Sequence, residues 1–396
     1  MKRWVLICLA LLCLWPMTAQ AEGQEEQPQQ TQEQSEEEFE TELQNTLNGL
    51  DLSDLQQGWE EDELAQQILD GGSFNDYIIA LGKGENKLDV MNILSIFGMG
   101  FVAALRDNMQ LMVQLILLCC VMSLLGAIGP RVLSGEVAEV CGFLSYALAV
   151  SIVVRALVQA FVVGSTAMTQ LMQAMFPVLI TLLTAVGGLA SAGIFQPAMS
   201  MLTGFIVTMV HKFSLPAILV SGVLTVVQNL SDKIRISRMT QLVMKCATWL
   251  TGLVFVIFLG TMAIQGLTGS TYDGVTLRTA KFAMDKFVPV VGGMFSGTMD
   301  TLIGCSLVVK NGVGVMGLIL IACKMASPVM QIVAVTLTLK LTAALMQPFE
   351  EKRLAGCLQD LSQVTTLLYI AVLSVGIMMF ISLTLLIRAG TLNLGG

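Results

Sequence analysis

Eight apolar runs, each long enough to cross a lipid bilayer, dominate this 396-residue chain. A membrane-spanning helix needs about 20 consecutive apolar residues. The runs cover residues 109–129, 142–163, 171–190, 198–227, 248–267, 287–309, 313–339 and 363–387. Charged residues make up only 13% of the chain, about half of their share in an average soluble protein. The sequence therefore predicts an all-α polytopic membrane bundle and argues against a soluble enzyme.

Residues 1–21 have the pattern of a secretory signal peptide. Lys2 and Arg3 precede the apolar segment Trp4–Leu14, and Ala19-Gln20-Ala21 fits the small-x-small cleavage rule. An uncleaved anchor helix is the alternative interpretation. Both interpretations place the following residues outside the cytoplasm.

An acidic segment, residues 22–87, follows; we call it the arm and expect it to be extracytoplasmic. Residues 22–92 hold 19 acidic residues and two basic ones, whereas residues 93–396 hold 10 acidic and 17 basic. The Glu- and Gln-rich residues 22–42 contain almost nothing apolar. The composition therefore predicts that these residues are disordered.

Apolar residues recur at helical spacing in the rest of the arm, from Leu43 to Leu81. The spacing predicts short amphipathic helices, and Ser53 or Asp51 is placed to cap one of them. Two roles remain open for the arm. It is either a tether whose apolar face rests on the membrane domain or a docking arm for an extracytoplasmic partner.

The polytopic membrane domain, residues 88–396, carries the signal of an internal repeat, with halves of about 142–245 and 248–387. Three pairs of residues share one offset of 112 positions, namely Pro177 and Pro289, Lys212 and Lys324, and Pro216 and Pro328. At its start, the apolar residues 88–105 are expected to form an interfacial helix. Repeats with broken helices in matching positions are typical of transporter folds.

The connector 228–246 carries a net charge of +3, which the positive-inside rule assigns to the cytoplasm. An exported N-terminus then requires an odd number of crossings before this connector, but four apolar runs precede it. One run is therefore expected to enter the membrane and return. Pro216 and the polar pair His211-Lys212 interrupt residues 198–227, so we expect a broken or re-entrant helix there.

Ionisable residues inside apolar runs are costly and usually face a cavity or a partner. Snorkelling near the membrane interface is the alternative. Together with the two repeated prolines they form our transport-path candidates: His211, Lys212, Lys324, Pro216, Pro328, Asp300 and Arg155.

The chemistry of the usual enzyme classes is missing from this sequence. The chain has one histidine and no phosphate-binding loop of the G-x4-G-K-[ST] type. Its nine cysteines show no C-x-x-C spacing. We therefore expect no catalytic residues, no metal and no cofactor.

Two segments point to a family: FPVLITLLTAVGGLASAGIFQP at Phe176–Pro197 and KFVPVVGGMFSGTMDTLIGCSLVVKNGVG at Lys286–Gly314. With the signal peptide and the acidic arm before them, the chain resembles the stage III sporulation protein AE family. The resemblance covers nearly the whole mature chain. It rests on the amino-acid sequence and order of these segments and not on a catalytic motif, so no site residue is carried over.

The resemblance implies a permease-like multi-pass subunit of a secretion or feeding channel in the mother-cell membrane around the forespore. It implies partners from the same channel complex, including a separate secretion-type ATPase and a ring-forming protein, and no nucleic acid. Two alternatives are open: a free-standing ion-coupled secondary transporter, or a membrane scaffold for a channel ring. Broken helices in a repeat favour transport over a scaffold.

Overall fold

A computed structural model describes residues 29–68, 73–84, 90–132, 135–185, 201–202, 204–230, 236–287, 292–346 and 352–389. The predicted signal peptide lies outside these residues. Every regular element among them is a helix, which confirms the predicted all-α class. The chain divides into two compact units, Met1–Glu42 and Leu43–Gly396.

Helix α1 runs from Gln29 to Asn48, so the prediction of disorder over 22–42 is wrong from Gln29 onward. The physical reason is that glutamate and glutamine are good helix formers. Low apolar content argues against a packed core but not against a helix. Towards its end, α1 buries Leu43 and Leu47, as their spacing of one turn predicts.

Three short helices follow, α2 (Ser53–Glu60), α3 (Glu63–Ile68) and α4 (Phe74–Gly82). At the start of α2, the carboxylate of Asp51 accepts hydrogen bonds from the backbone N–H (3.2 Å) and hydroxyl (2.5 Å) of Ser53. These bonds hold the pKa of Asp51 below its ordinary value. The predicted short helices are confirmed, but the N-cap position of α2 is Leu52, which makes no side-chain capping bond.

The next two helices are long: α5 spans Val90–Val132 and α6 spans Gly135–Ala185. Two predictions are wrong here. Residues 88–105 do not form a separate interfacial helix, since the part from Val90 continues into α5. The runs 142–163 and 171–190 were counted separately, but α6 carries residues 171–185 in the same helix as the earlier run. Gly164 lies between them but does not end the helix, since it is packed against side chains of α10.

The predicted break within 198–227 takes the form of a π-helical segment, not a chain reversal. Helical residues 204–209 lead into the π segment Val210–Ser214, and α7 (Leu215–Leu230) continues directly from it. A π turn widens the ring of backbone hydrogen bonds and is common beside functional sites. Pro216 lacks an N–H, and the change in bonding pattern lies immediately before it.

Helices α8 (Ser237–Phe287), α9 (Gly292–Met346) and α10 (Lys352–Ala389) complete the bundle. Helix α9 joins the runs 287–309 and 313–339, which we counted as two, and it continues through Pro328 without a break. The predicted matching break in the second half is therefore absent from α9, since residues 322–326 are regular α-helix.

Six of the described helical segments are long and apolar enough to cross a membrane: Met91–Val121, Phe143–Gly164, Gly204–Asn229, Ser237–Ala263, Gly304–Met346 and Leu354–Leu385. Three of these described segments lie before residue 230 and three after it. Helix α9 packs against α4, α5, α6 and α10, and α10 also packs against α7 and α8. Leu354–Leu385 is the most buried candidate span and Met91–Val121 the least.

Candidate functional site

The first group of predicted site residues lies around the π segment. His211 is half-buried, whereas Lys212 and Pro216 are exposed. The π segment packs against α8 and α10. The ionisable side chain of Lys212 is therefore not enclosed by the bundle in this structure.

The second group lies mainly on α9. Lys324 is half-buried and Pro328 is buried. Asp300 lies in α9, with its side chain outside the described residues, and Arg155 is exposed on α6. Lys212 lies in the π segment and Lys324 in α9, and their common cavity stays a prediction.

Hydrogen bonds connect four helices at a group of side chains that we call the Asp360 cluster. The carboxylate of Asp360 in α10 accepts hydrogen bonds from the side-chain amides of Gln228 (2.9 Å) and Asn229 (3.4 Å) in α7. The hydroxyl of Tyr146 in α6 donates to the backbone carbonyl of Asn229 at 2.6 Å. The hydroxyl of Thr240 in α8 donates to the side-chain oxygen of Gln228 at 3.0 Å.

The Asp360 cluster lies where four candidate spans begin or end. Asn229 is the last residue of its span, and Tyr146, Thr240 and Asp360 each lie within the first two turns of theirs. A hydrogen bond to a charged group contributes about 1.5–3 kcal/mol. The cluster can therefore hold these helix ends together on one side of the bundle.

Deeper in the bundle, hydroxyl pairs join helices without any charge. Thr251 of α8 donates to Ser214 at 3.1 Å, and Thr336 of α9 donates to Thr365 of α10 at 2.9 Å. The hydroxyls of Thr251 and Thr336 also approach backbone carbonyls of their own helices. Such bonds satisfy polar groups that lipid cannot hydrate, and they favour close helix packing.

Two buried groups depart from this pattern among the described residues, the indole Nε1 of Trp59 in the arm and the Nζ of Lys310 in α9, and neither has a hydrogen-bond partner there. The side chain of Lys310 is only 1% exposed. It lies within the candidate span Gly304–Met346. An uncompensated buried charge costs about 3–5 kcal/mol in proteins. A lysine in such a place is a functional-site candidate.

Sequence reasoning missed Lys310 because it lies in the gap between two apolar runs. The triplet Lys310-Asn311-Gly312 has the composition of a turn, so we treated it as a connection. The usable signal was an isolated lysine with apolar residues on both sides. Had the two runs been joined, Lys310 would have been recognised as intramembrane.

The arm covers α9 beside this lysine. A Cβ atom added to Gly312 would overlap the carbonyl oxygen of Ile78 in α4, and one added to Gly82 would overlap the carbonyl oxygen of Val308. Only glycine permits such a close approach of two backbones. Helix α4 is therefore fitted to α9 at this crossing.

The apolar side chains of the arm support that crossing. Leu55, Trp59 and Ile78 are each no more than 2% exposed, and Trp59 packs edge-on against Phe74 with ring centroids 6.4 Å apart. Helices α2 and α3 also contact α9. Of the two roles left open for the arm, the structure thus bears out a tether whose apolar face rests on the membrane domain.

Comparisons with known proteins place the chain in a sporulation family. The family described as stage III sporulation protein AE matches residues 72–390. The curated stage III sporulation protein AE of Bacillus subtilis (strain 168) is 33% identical over 227 residues. That alignment covers 57% of this chain and 57% of the relative. No solved structure matches the chain.

The family match begins within the arm and continues to residue 390, so it takes in all six candidate spans. Both the crossing of α4 with α9 and the Asp360 cluster fall inside it. The family resemblance that the sequence suggested is confirmed. With most of its length matched in this way, the chain belongs to the stage III sporulation protein AE family.

Proposed function

We propose that this chain is a permease-like, multi-pass subunit of a transenvelope channel that moves material from the mother cell to the forespore. The proposal is supported by the observation that a member of a sporulation family has six apolar candidate spans among its described residues. The chain itself has no phosphate-binding loop. The energy for transport would then come from a separate secretion-type ATPase, and this subunit would catalyse no reaction.

The proposed topology has the arm outside the cytoplasm and the connectors near the Asp360 cluster inside it. The connector 228–246, with its net charge of +3, joins two of the spans that meet at this cluster. The positive-inside rule favours the cytoplasm for it. The arm contacts α9 at Val308 and Gly312, near the other end of the span Gly304–Met346, which supports the opposite side for the arm.

The proposed location is the mother-cell membrane around the forespore, within a complex that includes a ring-forming protein. The arm rests on its own membrane domain. Contacts to partners would then use surfaces other than the buried side of α2–α4. Exposed large apolar side chains along the spans are available for lipid or for neighbouring subunits.

Cysteine labelling tests the topology. After removal of the native cysteines, Ser237→Cys should resist a membrane-impermeant thiol reagent in intact cells, because it would face the cytoplasm. Ser73→Cys in the arm is the matched control and should be labelled, since both serines are exposed in the structure. Ready labelling at Ser237 together with protection at Ser73 would contradict the topology.

Purification distinguishes the channel subunit from its alternatives. Full-length protein isolated from sporulating cells after crosslinking should carry the ATPase and the ring-forming protein with it. Isolation as a single chain that transports a solute in vesicles would instead support a free-standing secondary transporter. An intact complex that transports nothing would leave the scaffold role.

A further inference from the structure

Lys310 presents three N–H donors, and no acceptor among the described residues reaches them. The lysine is 1% exposed, and its Nζ is without a hydrogen-bond partner in the part of the chain that the structure describes. An ammonium group taken out of water is stable only when acceptors or an opposite charge replace the lost hydration. The described residues do not supply those acceptors, and a bound anion would.

Helical periodicity places two buried glycines on the face of α9 that carries Lys310. Gly314 and Gly317 follow it at one and two turns along the same face, and both are buried without a side chain. Lys324 lies four turns along the same face and is half-buried. Helix α9 therefore combines an unpartnered cation, two positions with no side chain, and a second cation further along.

The described residues of α4 do not supply the missing acceptor. Val308 and Gly312, the positions on α9 that approach the backbone of α4, are each two residues from Lys310. Two residues correspond to about 200° of rotation on an α-helix, so α4 lies on the opposite face. The arm holds this part of α9 in place and leaves the face of Lys310 to another group.

We propose that Lys310 binds an anion, the carboxylate or phosphate group of a small solute, within the membrane domain, and that Lys324 lies on the route to it. The ammonium donates hydrogen bonds to the anion and the two charges compensate each other. This inference rests on the proposed transport role and adds a substrate class to it, namely small anionic solutes.

The binding test uses full-length protein in nanodiscs of phosphatidylcholine, a lipid without net charge. Thermal unfolding is followed at increasing inorganic phosphate and, separately, increasing L-glutamate, with chloride as the reference anion. A ligand that binds the folded state raises Tm with its concentration. We expect one or both probes to raise the wild-type Tm by several degrees more than chloride does.

The variants assign that rise to Lys310. Lys310→Met should remove the anion-dependent rise, and Lys310→Arg should retain most of it because the charge and the donors remain. Lys340→Met is the matched control, since Lys340 is an exposed lysine of the same helix, and it should respond as the wild type does. Gly317→Leu adds a bulky side chain on the same face of α9 and should weaken the response while Lys310 is intact, which covers a failure of Lys310→Met to fold.

Two results would overturn the proposal: no probe-dependent rise in the wild type, or an unchanged rise in both Lys310→Met and Gly317→Leu. Discs that contain phosphatidylglycerol distinguish the source of the anion. If this lipid alone raises the wild-type Tm and the soluble probes then add nothing, a lipid headgroup occupies the site. The proposal that the anion belongs to a small solute is then wrong. Neither outcome bears on complex formation, so the channel role stands or falls separately.

Discussion

Asp360 and Lys310 are both charged side chains inside candidate spans, but their surroundings differ. The carboxylate of Asp360 meets two amide donors from α7, and the residues that donate are themselves bonded to α6 and α8. Lys310 is more deeply buried and meets no partner. The contrast separates two uses of charge in one bundle: Asp360 joins helices, whereas Lys310 has no such structural task among the described residues.

The largest effect is expected at Asp360. Asp360→Leu removes the acceptor of two amides and should lower the free energy of unfolding by about 2–4 kcal/mol, because unsatisfied buried groups are costly. Asp360→Asn should cost less, since an acceptor oxygen remains. Chemical unfolding of the full-length protein in detergent micelles measures both.

The matched control for Asp360 is Gln359→Ala, at an exposed neighbouring position, which should leave stability unchanged. If Asp360→Leu proves as stable as this control, the Asp360 cluster does not join the helices. The distinction from Lys310 would then disappear.

The next effect is expected where α4 crosses α9. Gly312→Ala places a Cβ against the carbonyl oxygen of Ile78, and relief of this overlap should cost about 1–3 kcal/mol. The strain falls on the arm, so amide hydrogen exchange over Phe74–Gly82 should become faster. The substitution should loosen the surroundings of Lys310 and leave the Asp360 cluster intact. It therefore tests the two charged sites separately.

Gly252→Ala in α8 is the control, because its added Cβ meets open space. An alanine there should stabilise the helix by about 0.5–1 kcal/mol. Equal exchange rates over α4 in both variants would show that the arm tolerates the change without moving.

The smallest effect concerns Asp51, whose carboxylate is fully exposed. Its bonds to Ser53 lower the pKa, so the charged form favours the folded state. That contribution is present above the ordinary pKa and is lost as pH falls through the lowered one. The protection of amides at the start of α2, measured relative to their intrinsic exchange rate at each pH, should therefore decrease in acid.

Asp51→Asn and Ser53→Ala should each weaken this acid dependence, the first by removing the charge and the second by removing the hydroxyl donor. An acid dependence unchanged in both variants would mean that other carboxylates control the start of α2. Unlike Asp360, Asp51 is hydrated, so its loss should leave the bundle intact.

The sequence predicted the class of the fold because apolar content and run length depend on composition alone. It divided two helices into separate runs because a helix does not end where polarity rises. Residues 171–185 continue α6, and Lys310-Asn311-Gly312 continues α9. The local turn signal at Gly312 was overridden by tertiary packing, since that glycine contacts the backbone of α4.

The candidate site was predicted less well for a related reason. Lys212 and Lys324 were chosen from a sequence offset, which carries no information on burial. Lys212 proved exposed, and Lys310, which shares no such offset, proved buried. The Asp360 cluster depends on residues more than 80 positions apart, and no local pattern could have joined Tyr146, Asn229 and Asp360.

The crossing of α4 and α9 has a consequence for the order of folding. Ile78 meets Gly312, which is made 234 positions later in the chain. Contacts between such distant positions form late, because the cost of closing a long loop comes before any gain. The apolar side chains of α2–α4 must therefore remain uncovered while most of the membrane helices are synthesised and inserted. During that interval these apolar side chains are exposed, and a protein that shields them would speed assembly.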